Sequence, residues 1–100
     1  VKIAGDVKVV EADHKARKLI RVRAEVRGDR IQSIRVFGDF FAVPEESIFR
    51  LEEMLRGVKL DERSVHDRIA EFYRATEVQT PGIGTQDFTD AIMKMKELIR

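Results

Sequence analysis

The chain has 100 residues, of which 43% are hydrophobic and 37% are charged, with 19 Lys and Arg against 18 Asp and Glu. This length and apolar content predict one domain spanning residues 1–100 and argue against a disordered chain. No run approaches the ~18 consecutive apolar residues of a membrane-spanning helix. The absence of cysteine excludes disulfides, thiolate nucleophiles and cysteine-based metal sites. A soluble, cytoplasmic domain is therefore expected.

Charge and hydrophobic periodicity divide the chain into two unlike parts. Residues 1–40 carry ten basic against six acidic side chains, whereas residues 41–100 carry nine against twelve. The first part alternates with a period of two, and the second repeats with the helical period. This order predicts an α+β fold, a small antiparallel sheet of two or three strands packed on one face by three helices. The lack of Asn and the density of both charges are typical of thermophile proteins.

The strands are predicted from alternation. Apolar residues alternate with charged ones from Leu19 to Arg27, and a turn follows in which Gly28 is able to adopt a positive φ. A second strand is predicted over Ile31–Phe37, which makes a hairpin the simplest arrangement. A further strand within 1–13 is a weaker expectation, and residues 13–18 are interpreted as a loop.

Three helices are predicted after Gly38. Pro44 suits the first turn of the first helix, and Gly57 ends it. Asp61 is a natural N-cap for the second helix, and Thr85 is interpreted as the cap of the third. The predicted core consists of Ile20, Val22, Val26, Ile34, Val36, Ile48, Leu51, Leu55, Val65, Ile69, Phe72, Phe88, Ile92 and Met95.

The sequence offers no catalytic constellation. The two histidines, His14 and His66, lack the spacing of a helical metal site, and both are interpreted as surface residues. Asp61 and Glu62 fit a helix start better than an acid–base pair. We therefore predict neither catalytic nor metal-binding residues. The Gly-containing segment 82–85 precedes a helix and is only a weak signal for anion binding.

Two features are candidates for a binding surface, and each also fits a purely structural role: a solvated strand face for the first and a buried aromatic cluster for the second. Arg21, Arg23 and Arg27 project from one face of the first strand with Arg35 beside them, and this face could bind phosphate, RNA or an acidic protein surface. Three phenylalanines lie within residues 37–41, where a strand leads toward a helix. They cannot all be surface residues, because burying a phenylalanine contributes about 1.5–3 kcal/mol.

The order of these pieces resembles the C-terminal accessory domain of lipoate–protein ligases, especially the archaeal ones. The resemblance runs from Lys18 to Ile99. It rests on Gly38-Asp39-Phe40-Phe41, then Pro44-Glu45-Glu46, then the run Leu51-Glu52-Glu53-Met54-Leu55-Arg56-Gly57. Where the family often has Gly-Lys-Leu, this chain has Arg17-Lys18-Leu19, which puts any backbone contact of that glycine in doubt.

The resemblance implies a non-catalytic role. In this family the larger catalytic domain binds ATP, with magnesium, and lipoate, forms lipoyl-AMP and transfers the lipoyl group to an acceptor domain. The accessory domain, in some archaea a separate polypeptide, docks on it and is needed for activation. This chain is therefore expected to bind no cofactor alone and to be inactive without its catalytic partner. The residues expected in or near the docking surface are Lys18, Arg21, Arg23, Arg35, Gly38, Asp39, Phe40 and Phe41.

Two other functions remain open from the residues. One is a nucleotide- or RNA-binding module that uses the arginine-rich sheet face, although the resemblance itself implies no nucleic acid and no membrane among the partners. The other is a sensor with a closed apolar pocket for a small molecule.

Overall fold

Residues 2–99 fold as a four-stranded antiparallel sheet with three helices packed on one face. A computed structural model describes residues 2–99, and its side chains from residue 5 to residue 99. The sheet order is β1-β2-β3-β4. The elements are β1 Lys2–Ala4, β2 Val7–Lys15, β3 Leu19–Arg27, β4 Arg30–Gly38, α1 Ser47–Met54, α2 Glu62–Ala75 and α3 Thr85–Leu98. The predicted α+β class and the placement of the helices are confirmed.

The hairpin of β3 and β4 forms where alternation predicts it. Arg27 pairs with Arg30 across a two-residue turn, in which Gly28 has a φ of +59°. The sheet then exceeds the two or three strands predicted, because the short edge strand β1 joins β2 through a similar turn at Gly5. The predicted loop over residues 13–18 is also too long, since β2 runs to Lys15 and pairs with β3 over its whole length.

A register shift interrupts the alternation of β4. Ile31, Ile34 and Val36 are all buried, although three positions separate the first two. The pairing changes at the same place: Glu25 lies opposite Ser33 and the next residue, Val26, lies opposite Ile31. The extra residue of this bulge keeps both isoleucines on the helix-covered face.

Two of the predicted helix starts are wrong. Helix α1 begins at Ser47 rather than Pro44, because residues 44–46 form tight turns in which their carbonyls accept hydrogen bonds from the N–H groups three residues later. Helix α3 is capped by Gly84 rather than Thr85. The N–H of Gly84 donates to the carboxylate of Asp87 at 2.9 Å, which satisfies a terminal backbone group from within the first turn.

The second helix and the end of the first follow the predictions. The Asp61 carboxylate accepts a hydrogen bond from the Ser64 N–H at 2.8 Å, as an N-cap should. Gly57 follows α1 with a φ of +83°, the left-handed conformation that glycine adopts without strain. None of the helices described within residues 2–99 is long and apolar enough to span a bilayer.

The core lies between the sheet and the helices. Every predicted core residue is buried except Ile48, which is half-buried. It differs from Leu51 and Leu55 because it lines an open groove between α1 and the end of β4. The core residues that the prediction missed include Val10, Ala12, Ala24, Ile31, Val58, Leu60, Val78, Ile83 and Ala91.

Candidate functional site

Gly38 is required where β4 passes the start of β3. It pairs with Ile20 and has a φ of +150°. A Cβ atom built on Gly38 would lie 2.1 Å from the carbonyl oxygen of Leu19 and 3.0 Å from its carbonyl carbon. Both atoms belong to the backbone and cannot rotate away. The close approach of the two strands therefore depends on the missing side chain.

Asp39 joins the end of β4 to the start of β3 through two hydrogen bonds. Its N–H donates to the carbonyl oxygen of Leu19 at 3.1 Å, and its carboxylate accepts a hydrogen bond from the Leu19 N–H. Both backbone groups of Leu19 are thus satisfied by one residue that lies 20 positions away in the chain. Lys18, which is half-buried, immediately precedes Leu19 in the chain. The carboxylate of Asp39 has an internal structural partner while the residue itself stays exposed.

The two following phenylalanines have opposite roles. Phe40 is half-buried and packs edge-to-face on Phe88 of α3, with ring centroids 5.4 Å apart and planes at 86°. Phe41, the next residue, is 70% exposed. Phe37, which ends the alternating part of β4, is 42% exposed. Residues 38–41, called here the corner, thus anchor one ring in the helical layer and leave one in solvent.

A backbone bridge supports the segment beyond the corner. Val43 and Gln79 exchange two N–H···O hydrogen bonds of 2.9 Å each. The buried Thr80 beside Gln79 has its hydroxyl 3.0 Å from the carbonyl oxygen of Ile83 and 2.6 Å from the hydroxyl of Tyr73. Burial raises the pKa of Tyr73, and the hydrogen bond to Thr80 opposes this in part. The segment that leads into α1 is therefore held against the loop before α3.

Glu52 of α1 caps the open edge of the sheet. Because β4 is an edge strand, its outward N–H groups lack a neighbouring strand. The carboxylate of Glu52 accepts a hydrogen bond from the Val36 N–H at 2.7 Å and lies 3.6 Å from Nε of Arg35. Its side chain is only 13% exposed. Sequence reasoning noted Glu52 within the family-like motif but gave it no role.

A groove, called here the β4–α1 groove, runs between the end of β4, the corner and α1. Its volume is about 430 Å³. The apolar part of its lining includes Phe37, Phe40, Ala42, Ile48 and Phe49, and the charged part is Arg35, Glu45, Glu46 and Glu52. Phe49 is 65% exposed. Sequence reasoning assigned Phe49, Glu45 and Glu46 to no site, although exposed aromatic residues at such a position are a signal of binding.

The strand arginines do not form a free basic face. Arg21 makes two hydrogen bonds to the carboxylate of Asp13, of 2.6 and 3.0 Å, and the main effect on the pKa of Asp13 is the lowering caused by this hydrogen bonding. Nε of Arg27 lies 3.5 Å from the carboxylate of Asp6. Arg35 lies beside the carboxylate of Glu52, which also accepts the hydrogen bond from the Val36 N–H. Arg23 is exposed between Glu11 and Arg35 in the register. Acidic neighbours therefore neutralise much of the face that RNA would need.

The eight predicted site residues lie at one end of the β3–β4 pair. Ile20 pairs with Gly38 there, Arg21 with Phe37, and Arg23 with Arg35. Their surroundings differ: Arg21, Arg35, Gly38, Asp39 and Phe40 make the contacts described above, whereas Phe41 and Arg23 present exposed side chains. The predicted residues thus lie close together in the fold.

Other polar candidates contribute no chemistry to this site. His14 lies in β2 rather than in a loop and is half-buried, and His66 is half-buried in α2 beside Asp67. Among the described residues, no three His, Asp or Glu side chains are grouped as a metal site would need. The start of α3 is poorly suited to a bound anion, because the Asp87 carboxylate already lies there.

Comparison with known proteins points to one family. Residues 19–92 match the family model described as bacterial lipoate protein ligase C-terminus. The chain is 46% identical over 79 residues to lipoate-protein ligase A subunit 2 of Thermoplasma acidophilum, covering 78% of this chain and 81% of that protein. A chain from a structural study of an archaeal lipoylation system, a bipartite lipoate protein ligase and its E2 lipoyl domain from the same organism, superposes with a TM-score of 0.77. It shares 41% identity, over 86% of this chain and 96% of that one.

Proposed function

We propose that this chain, which belongs to the lipoate–protein ligase C-terminal domain family, is the non-catalytic accessory subunit of a bipartite ATP-dependent ligase. The observation that carries the proposal is its similarity, at 46% identity, to a ligase component that is itself a separate subunit. The match covers most of both chains. The family model spans residues 19–92, which contain β3, β4, the corner, α1, α2 and the first part of α3. The chain contributes to protein lipoylation through its partner.

The partner supplies the reactive chemistry. The catalytic subunit holds ATP, magnesium and lipoate and forms lipoyl-AMP, and an E2-type lipoyl domain accepts the lipoyl group. The accessory subunit acts by docking, because its own polar groups at the corner are used to fix its backbone. Docking over a reactive acyl-adenylate would exclude water from it and stabilise the negative charge of its phosphate. The site of action would be the cytoplasm.

The rigid corner suits such a docking role. Gly38, Asp39 and Phe40 fix the end of the sheet through a close backbone approach, two hydrogen bonds and an aromatic contact. The backbone that carries the exposed side chains of Phe41 and Arg23 is thereby held in place before binding. A preorganised surface loses less conformational entropy on association than a mobile one. These exposed side chains, with Lys18 and Arg35 next to them, are proposed to contact the catalytic subunit.

Reconstitution tests the proposal. The purified chain is mixed with the catalytic subunit from the same organism, and lipoate-dependent exchange of pyrophosphate into ATP is measured for each alone and for the pair. We expect strong exchange only in the mixture. Adenylate formation by this chain alone, or equal exchange by the catalytic subunit without it, would contradict the accessory role.

A further inference from the structure

We infer that the β4–α1 groove receives a segment of the catalytic subunit that carries an apolar side chain next to a lysine or arginine. This inference rests on the proposed function and extends it, because it gives the chemistry of one docking element. Arg35, Gly38 and Phe40 line the groove and are among the predicted docking residues, whereas Phe49 and the three carboxylates of the groove were not predicted to take part in docking.

Two exposed aromatic rings line the groove. Phe49 is on the outer side of α1, whereas Leu51 and Leu55 bury the inner side of this segment in the core. Phe37 faces the same groove from β4. Single exposed apolar residues are common, but neighbouring aromatic rings around a concave surface are typical of an interaction site.

The charges that line the groove favour an occupant that carries a cation. Among the described lining residues, three carboxylates stand against one guanidinium, and that guanidinium, of Arg35, already lies beside Glu52. Glu45 and Glu46 are exposed. An apolar group that entered the groove would remove water from these carboxylates, which is costly unless a cation accompanies it. Phosphate-rich partners such as nucleic acid or an anionic membrane would be repelled.

The groove is also fixed in shape. Glu52 joins α1 to β4 through the Val36 N–H, and the Val43–Gln79 bridge holds the segment between the corner and α1. A preformed concave surface favours a protruding side chain of the partner, because little reorganisation is needed on binding. The outer face of the sheet in a second copy fits less well, since Arg21 and Arg27 on it are paired with Asp13 and Asp6.

The test measures the affinity of the full chain for the catalytic subunit by isothermal titration calorimetry. We expect Phe49→Ala to raise the Kd at least about tenfold, as for a buried aromatic anchor. The double variant Glu45→Gln/Glu46→Gln should raise the Kd and make binding less sensitive to salt. Leu98→Ala and Glu97→Gln are the matched controls, because Leu98 is 53% exposed and both lie at the far end of α3.

The outcomes separate this inference from the proposed function. If the wild-type chain activates the catalytic subunit but Phe49→Ala binds like Leu98→Ala, the groove is not the docking element and the accessory role stands. The inference is also overturned if sedimentation shows that Phe49→Ala disrupts only self-association of this chain, or if only binding to a lipoyl domain changes. If the wild-type chain neither binds nor activates the subunit, the proposed function itself fails. Circular dichroism melts confirm that each variant is folded.

Discussion

Replacing Gly38 with alanine should destabilise the fold strongly because the new methyl group meets backbone atoms. Its Cβ would lie 2.1 Å from the Leu19 carbonyl oxygen, far inside van der Waals contact. Neither strand can relieve the overlap by rotating a side chain, so Leu19 and the corner must separate. The separation would weaken both hydrogen bonds that join Asp39 to Leu19.

The size of the effect follows from these contacts. The lost backbone hydrogen bond is worth ~0.5–1.5 kcal/mol and the one to the carboxylate ~1.5–3 kcal/mol, and the exposure of Asp39 favours the lower values. The unfavourable φ adds ~1–3 kcal/mol for a residue with a side chain. A loss of about 3 kcal/mol is therefore expected, a large share of the ~5–15 kcal/mol that stabilises a typical domain.

The assay is denaturant unfolding followed by circular dichroism, with Gly28→Ala as the matched control. Gly28 also has a positive φ, of +59°, but no atom lies within 4 Å of a Cβ built there. The control should therefore lose only the ~1–2 kcal/mol of left-handed backbone strain. If Gly38→Ala unfolds at the same denaturant concentration as Gly28→Ala, the close approach of the strands does not limit stability and the reasoning is wrong.

Three further predictions concern single side chains. Asp39→Ala should weaken lipoate-dependent pyrophosphate exchange by the reconstituted pair while the circular dichroism spectrum stays folded, and unchanged exchange would remove Asp39 from the candidate site. Burial raises the pKa of Tyr73, so its hydroxyl loses the proton at a lower pH in the unfolded chain than in the folded one. The free energy of unfolding should therefore fall as the pH rises above 10.0. The ultraviolet absorbance of this single tyrosine should show a folded-state titration midpoint above that value. The hydrogen bond from the Ser64 N–H lowers the pKa of Asp61. The ionised carboxylate should therefore stabilise the fold above pH 3.8, and this stabilisation should be lost as the pH falls through the lower folded-state pKa. Urea midpoints of Asp61→Ala and wild type should therefore converge in acid, and a constant difference would contradict this assignment.

The parts of the fold that the sequence predicts are those set by near neighbours. Alternation over residues 19–27 places β3, and a glycine with a positive φ closes the hairpin to β4. The cap at Asp61 involves a partner three residues away, so the local pattern suffices to find it. The apolar stripe of α2 is likewise buried as its spacing predicts.

The parts that the sequence does not predict depend on distant partners. Asp39 meets Leu19 across 20 positions, and Glu52 meets Val36 across 16. A carboxylate in either place looks like an ordinary surface residue until the strands are assembled. The strand β2 continues into the predicted loop for a similar reason, since Asp13 is hydrogen-bonded to Arg21 on the neighbouring strand. The groove was missed because its walls come from separate elements.

Burial of the exposed phenylalanines of the corner and the β4–α1 groove offsets at most the lower end of the cost of association. The exposed parts of Phe37, Phe41 and Phe49 together amount to fewer than two whole rings, which corresponds to about 3–5 kcal/mol if a partner covers them fully. Association costs an estimated ~4–15 kcal/mol in lost translational and rotational freedom. Charged contacts, from Glu45 and Glu46 in the groove and Arg23 on the sheet, must therefore contribute, or further surface must be buried. A complex stabilised in this way should weaken as ionic strength rises, because screening acts on the charged contacts and not on the rings.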